Sequence, residues 1–125
     1  MTTTPHILLI DDEVDFTELT AALLRFYDFT VTTLNDAAHA MATLDLQPVQ
    51  LVVTDLMMPQ VDGMQLIQQL RERPTTATVP ILTLTAKVLT DSERKFLLQH
   101  RVVVLTKPFE PQRLVDQIRQ LLCSG

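Results

Sequence analysis

Five short apolar runs constrain the fold of this chain more than any other feature of its sequence. They occupy residues 6–10, 30–34, 51–54, 81–85 and 102–106. Three of them contain ILLI, ILTLT and VVVLT, which lack a polar face and are typical of strands covered on both sides in a parallel sheet. Each run is followed by a segment with helical spacing, so the pattern predicts five strands alternating with five helices.

The helical segments carry start signals that place their first residues. Asn35 is expected to cap the second helix, and Gly63 opens the third. Thr90 and Glu93 have the spacing of a capping box for the fourth helix, and Pro111 suits the first turn of the fifth. With right-handed crossovers, these elements form an α/β fold with a doubly wound parallel sheet.

Composition limits the class of function. The chain has 125 residues with a net charge of -5, and we expect residues 1–125 to form a single domain. The acidic balance argues against direct binding of nucleic acid, which requires a basic face. Cys123 is the single cysteine. The sequence shows neither a signal peptide nor a long apolar stretch, so a cytoplasmic location is expected.

The charged residues 71–73 are predicted to be a solvated helix end.

Polar side chains follow four of the predicted strands. Asp11 and Asp12 come directly after the first strand and Asp55 after the third, while Thr85 closes the fourth and Lys107 follows the fifth. Ligands of doubly wound sheets bind beyond the carboxyl ends of the strands, so these side chains are expected to converge at one edge.

Charge balance indicates the chemistry of this edge. Three carboxylates facing one ammonium leave an excess of negative charge, which a Mg²⁺ ion with oxygen ligands would cancel. Carboxylate, Mg²⁺ and lysine together suit phosphoryl transfer, in which an aspartate can itself be the nucleophile. The alternative is that Asp11 and Asp12 cap the first helix, since aspartate is favoured at helix N-termini.

The segments IDDE, TDLMMPQVDG, TLTA and TKPF, in this order and each at a strand end, resemble the signatures of response-regulator receiver domains of two-component signalling. The resemblance extends from His6 to Leu122. It implies a flavodoxin-like sheet with strand order 2-1-3-4-5.

The resemblance also implies roles for individual residues. Asp55 would accept the phosphoryl group, and Asp11, Asp12, Asp55 and the main-chain carbonyl of Met57 would hold Mg²⁺. Thr85 and Lys107 would contact the phosphoryl oxygens. The switch would involve Thr85, Ala86, Val104 and Lys107.

The sequence departs from the family pattern in three respects. Val104 stands where an aromatic residue often reports phosphorylation by rotating. His100 and Arg101 replace the small residue or glycine that commonly precedes the fifth strand. Met57 stands where a polar residue often assists hydrolysis, and Lys87 follows the switch segment, so slow loss of the phosphoryl group is expected.

The sequence therefore predicts a phosphorylation-controlled switch whose only catalysis is its own phosphorylation and dephosphorylation. The resemblance implies two kinds of partner, a histidine kinase or phosphotransfer protein and a downstream protein. It also implies that the downstream protein is bound by the fourth helix, fifth strand and fifth helix (residues 92–100, 102–106 and 111–122). Dimerisation through the same face is left open. The alternatives are a phosphorelay intermediate and the receiver half of a larger DNA-binding regulator. A Mg²⁺-dependent phosphatase with an aspartate nucleophile is disfavoured, because Leu56 and Met57 leave no general acid two residues after Asp55.

Overall fold

The computed structural model describes residues 4–56 and 63–124. In these ranges strands and helices alternate strictly: β1 (His6–Ile10), α1 (Val14–Phe26), β2 (Thr30–Leu34), α2 (Ala40–Leu46), β3 (Leu51–Asp55), α3 (Gly63–Glu72), β4 (Ile81–Thr85), α4 (Asp91–Gln99), β5 (Val102–Thr106) and α5 (Pro111–Ser124). The strands pair in parallel in the order β2-β1-β3-β4-β5. This confirms the predicted doubly wound α/β fold. Along these residues, none of the helices has the length and apolar character needed to cross a membrane.

Both faces of the sheet are covered, which explains the continuous apolar runs. Successive side chains of β1 point to opposite faces. Ile7 and Leu9 pack in a cluster with side chains of α1 and α5. Leu8 and Ile10 pack in a second cluster with side chains of α2, α3 and α4. The carboxyl ends of the strands therefore meet at one edge, framed by the loops that enter these helices.

Most of the predicted helix starts are correct. Gly63 and Pro111 begin α3 and α5, and the Thr90–Glu93 capping box has both of its reciprocal hydrogen bonds. The prediction for Asn35 was wrong, because α2 begins at Ala40 after His39. The Asn35 amide instead donates hydrogen bonds to the main-chain oxygen of Asp11 at 2.9 Å and to the Thr17 hydroxyl at 3.0 Å. It thereby ties the end of β2 to the segment that carries the acidic pair.

The prediction of a solvated helix end at residues 71–73 was also wrong for Arg71. Its Nε donates to the His100 main-chain oxygen at 2.8 Å, and its Nη1 donates to the Val79 oxygen at 2.7 Å. Further bonds to the oxygens of Thr76 and Ala77 measure 3.2 Å each. Arg71 therefore joins the end of α3 to the loop before β4 and to the turn before β5.

Gly63 stands where the chain passes very close to the residue after Asp55. A Cβ atom at this position would lie 2.7 Å from the Cα and 2.8 Å from the main-chain oxygen of Leu56. We expect Gly63→Ala to lower the free energy of unfolding by about 2 kcal/mol, because backbone atoms cannot yield as a flexible side chain does. Urea denaturation measures this difference.

Gln65→Ala is the matched control, since Gln65 is exposed on the same helix. Its change in stability should stay within about 0.5 kcal/mol. Alanine is the better helix former by about 1 kcal/mol. A Gly63→Ala variant more stable than the wild type would therefore show that the close contact with Leu56 has no steric cost.

Candidate functional site

The predicted polar residues meet at the carboxyl edge of the sheet. Asp11 and Asp12 follow β1, and the Asp11 main-chain N–H still donates to the Leu34 oxygen of β2 at 3.1 Å. Strand β3 runs one residue further than predicted and ends at Asp55. Lys107 follows β5, and its main-chain N–H donates to the Thr85 oxygen at 2.8 Å. The parallel topology alone brings these segments together.

Lys107 lies between two buried carboxylates. Its Nζ is 3.2 Å from Asp11 Oδ2 and 3.2 Å from Asp55 Oδ2. The side chains of Asp11 and Asp55 are 1% and 10% exposed, against 18% for Lys107. An ion pair shielded from water in this way holds its geometry better than a surface pair.

Asp11 makes a second interaction that bears on the helix-cap alternative. Its Oδ1 accepts a hydrogen bond of 2.9 Å from the Glu13 main-chain N–H. Glu13 is the N-cap of α1 and makes no side-chain capping bond. One carboxylate of the acidic pair therefore fixes the entry to α1 and faces Lys107 at the same time.

The three carboxylates form a cluster that fits a hard divalent cation. Single oxygens of Asp11, Asp12 and Asp55 lie within 4.8 Å of one another. Asp12 is exposed at the rim, whereas the other two are buried. An all-oxygen donor set open to water on one side suits Mg²⁺, which binds through one or two carboxylates and retains waters. Met57, whose carbonyl was expected as a further ligand, lies outside the described residues.

Burial and charge shift the ionisation of this cluster. Burial raises the pKa of Asp11 above its ordinary value, although the Glu13 N–H and the Lys107 ammonium act in the opposite direction. Burial alone would lower the pKa of Lys107, but the charges of Asp11 and Asp55 outweigh it, and this pKa is raised. Lys107 is therefore a fixed positive charge among three acidic groups.

Thr85 closes β4 beside this cluster and is fully buried. Its Oγ1 accepts a hydrogen bond of 3.1 Å from the Lys87 main-chain N–H. The Lys87 ammonium pairs with Glu93, and Glu93 belongs to the capping box of α4. A chain of contacts thus leads from Thr85, through the loop of Ala86 and Lys87, to the first turn of α4.

Val104 lies on β5 in register with Thr83 and is half-buried. It lines an open cleft of about 560 Å³ between β5 and α4, together with Thr85, Ala86 and Leu97. A small side chain at this position leaves the cleft unfilled. Arg101, in the turn before β5, has a φ of 58°, so a non-glycine residue adopts the left-handed conformation at this turn.

Two features of the site escaped the sequence analysis. The Lys107 Nζ lies 4.3 Å from the centroid of the Phe16 ring, a contact that the sequence did not predict. Phe16 also lines an apolar groove of about 860 Å³ between α1 and the segment from Lys107 to Leu114. The signal was its position, because Phe16 lies in the first turn of α1, directly after the segment that carries the acidic pair.

Comparison with known proteins agrees with this geometry. Residues 7–119 match the response regulator receiver domain family. The chain is 38% identical over 118 residues to protein PetR of Rhodobacter capsulatus, covering 94% of this chain and 48% of PetR. It is 37% identical over 117 residues to response regulator Rre1 of Synechocystis sp., covering 93% of this chain and 51% of Rre1. The chain thus spans about half the length of these relatives.

The fold has close structural counterparts as well. Chemotaxis protein CheY4 of Vibrio cholerae superposes with a TM-score of 0.88, covering 95% of this chain and 99% of that chain at 21% identity. Receiver domains are signalling switches of two-component systems that work with histidine kinases or phosphotransfer proteins and downstream effectors. Because the family match covers residues 7–119, most of the chain, this chain belongs to the response regulator receiver domain family.

Proposed function

We propose that Asp55 accepts a phosphoryl group from the phosphohistidine of a kinase or phosphotransfer protein. The observation that carries the proposal is the position of Asp55 at the end of β3, with Oδ2 3.2 Å from Lys107 Nζ and within the three-carboxylate cluster. A carboxylate held at a partly open edge can attack phosphorus, while the adjacent ammonium is placed to receive a phosphoryl oxygen.

The chain's own groups would divide the work of this transfer. An Asp55 oxygen forms the new bond to phosphorus as the phosphorus–nitrogen bond of the donor breaks, and the leaving imidazole takes a proton from water. Lys107 exchanges its contact with Asp55 Oδ2 for a contact with a phosphoryl oxygen. Asp11, Asp12 and Asp55 would hold Mg²⁺, which supplies positive charge against the other phosphoryl oxygens when bound.

The output would pass through Thr85. Its hydroxyl now accepts a hydrogen bond from the Lys87 N–H, and a turn toward a phosphoryl oxygen would break that bond. The loop of Ala86 and Lys87 would then be free to move, and with it the Lys87–Glu93 pair at the start of α4. With Val104 in place of an aromatic ring, this loop is the route by which the face of α4, β5 and α5 would change for its partner.

An intact-mass measurement after incubation with acetyl phosphate and Mg²⁺ tests the proposal. The wild type should gain one phosphoryl group, and Asp55→Asn should gain none. Chelation of Mg²⁺ should also prevent the gain, because the carboxylate cluster then repels the incoming phosphoryl oxygens.

Asp15→Asn is the matched control, since Asp15 is exposed in the first turn of α1 and outside the carboxylate cluster. It should be phosphorylated like the wild type. A gain that persists in Asp55→Asn would exclude Asp55 as the acceptor. The wild type remaining unmodified by acetyl phosphate and by phosphorylated histidine kinases alike would exclude the proposed function.

A further inference from the structure

The aromatic ring of Phe16 forms one wall around the ammonium of Lys107. The Nζ lies 4.3 Å from the ring centroid, and the same Nζ is 3.2 Å from a carboxylate oxygen of Asp11 and from one of Asp55. The ammonium is therefore enclosed by two carboxylates and an aromatic ring. This arrangement combines charge pairing with a cation–π contact, which strengthens as the cation is removed from water.

The position of a lysine ammonium depends strongly on the groups that surround it. Its side chain has four flexible carbons and a compact charge, so the ammonium can occupy many positions when nothing confines it. The groove beside Phe16 is open and apolar, and Lys107 itself lies at its edge. Without the ring, the ammonium could move from the carboxylates toward the water at the mouth of this groove.

The position of Phe16 follows from the chain around it. Asp11 accepts the Glu13 N–H and so fixes the entry to α1. Phe16 is in the first turn of that helix, half-buried, and packs against the core cluster of α1 and α5. The Asp11 carboxylate and the Phe16 ring are thus held by one short segment, residues 11–16, and both contact Lys107.

We infer that Phe16 is a positioning residue that holds the Lys107 ammonium beside Asp55 for phosphoryl transfer. The inference rests on the proposed function of Asp55. The rate of phosphoryl transfer depends steeply on the position of the group that binds the phosphoryl oxygens. A purely structural role for Phe16, as a wall of the groove, would instead make any apolar side chain of similar size sufficient.

The test compares rates of phosphorylation by acetyl phosphate with Mg²⁺. Phe16→Leu keeps an apolar side chain and removes the ring, and we expect it to react about fivefold more slowly. Phe16→Tyr keeps the ring and should react within about twofold of the wild type. Phe26→Leu is the matched control, because Phe26 lines the same groove on the same helix and is 79% exposed, and it should leave the rate unchanged.

A double-mutant cycle separates positioning from structure. If the ring acts through the ammonium, Phe16→Leu should have no further effect in a Lys107→Gln background, whose slow reaction is followed over longer incubations. Equal losses in both backgrounds, or a Phe16→Leu variant as fast as the wild type, would overturn the inference.

A spectroscopic measurement gives a second readout that does not depend on activity. The Lys107 methylene protons next to Nζ should show an upfield ring-current shift in the wild type and in Phe16→Tyr, and this shift should disappear in Phe16→Leu. Its absence from the wild type would overturn the inference. A wild-type protein that shows the shift but gains no phosphoryl group would overturn the proposed function, and the role in transfer with it.

Discussion

Replacing Lys107 by glutamine is expected to slow the phosphorylation of Asp55 by about 100-fold, the usual effect of removing one preorganised group from a developing charge. The Nζ of Lys107 contacts both Asp11 and Asp55 at 3.2 Å. Glutamine can donate a hydrogen bond but carries no charge, so the carboxylates would repel the incoming phosphoryl oxygens more strongly. The rate of mass gain with acetyl phosphate and Mg²⁺ measures the effect.

Lys87→Gln is the control for this change. Lys87 also lies near Thr85, but its ammonium pairs with Glu93 at the start of α4 and away from the carboxylate cluster. Its phosphorylation rate should stay within about twofold of the wild type, as expected for a surface charge. If both lysine variants slow the reaction equally, the loss of one positive charge explains the effect of Lys107→Gln. The position of the Lys107 ammonium beside Asp55 would then have no special role.

The second large effect is on stability. Arg71→Ala should lower the free energy of unfolding by about 3 kcal/mol, because it removes a charged donor from several main-chain oxygens at once. Those oxygens belong to the loop before β4 and to the turn before β5. Burial lowers the pKa of Arg71, and the charge of Arg101 acts in the same direction. Both effects disfavour the charged guanidinium, and the carbonyl dipoles that accept its hydrogen bonds stabilise it.

Urea denaturation of Arg71→Ala and of Arg25→Ala measures this effect. Among the described residues Arg25 donates one hydrogen bond, 2.9 Å long, to the Val31 main-chain oxygen, and its loss should cost about 1 kcal/mol. Equal costs for the two variants would mean that the additional contacts of Arg71 contribute nothing. Arg71→Lys should recover only part of the loss, because an ammonium cannot reproduce the fork of guanidinium donors.

The fold and the convergence of the site residues could be predicted from the positions of the strands and of their carboxyl ends. Continuous apolar runs indicate buried parallel strands, and the carboxyl ends of parallel strands meet at one edge. Asp11, Asp55 and Lys107 were therefore expected together, and the structure brings them together. Their roles in phosphoryl transfer remain proposals.

The residues whose contacts the sequence did not predict have one feature in common. Asn35, Arg71 and Phe16 each act on atoms far away in the sequence, namely main-chain oxygens of other loops or the ammonium of Lys107. Local patterns describe a residue's own helix or turn and carry no information about such partners. Asn35 fits a helix cap in sequence, but Asp36 accepts the His39 N–H in the turn that precedes α2.

The turn before β5 lacks the small residue or glycine that is common in the family, and other contacts stabilise it. Arg101 adopts a positive φ without being glycine, at a steric cost. Its own guanidinium donates to the Ala77 oxygen at 2.8 Å, and Arg71 binds the preceding carbonyl of His100. Two arginines thus hold a turn that glycine would form more easily, and they connect it to the loop before β4.

The central claim is that Asp55 itself carries the phosphoryl group, and locating the modified residue tests this most directly. Borohydride reduces an acyl phosphate on aspartate to an alcohol, so treatment of the phosphorylated protein should convert residue 55 to homoserine. Peptide mass spectrometry should find this change in the peptide containing residues 51–56 and only after treatment with a phosphoryl donor and Mg²⁺. Conversion at Asp11 or Asp12, with Asp55 unchanged, would contradict the account.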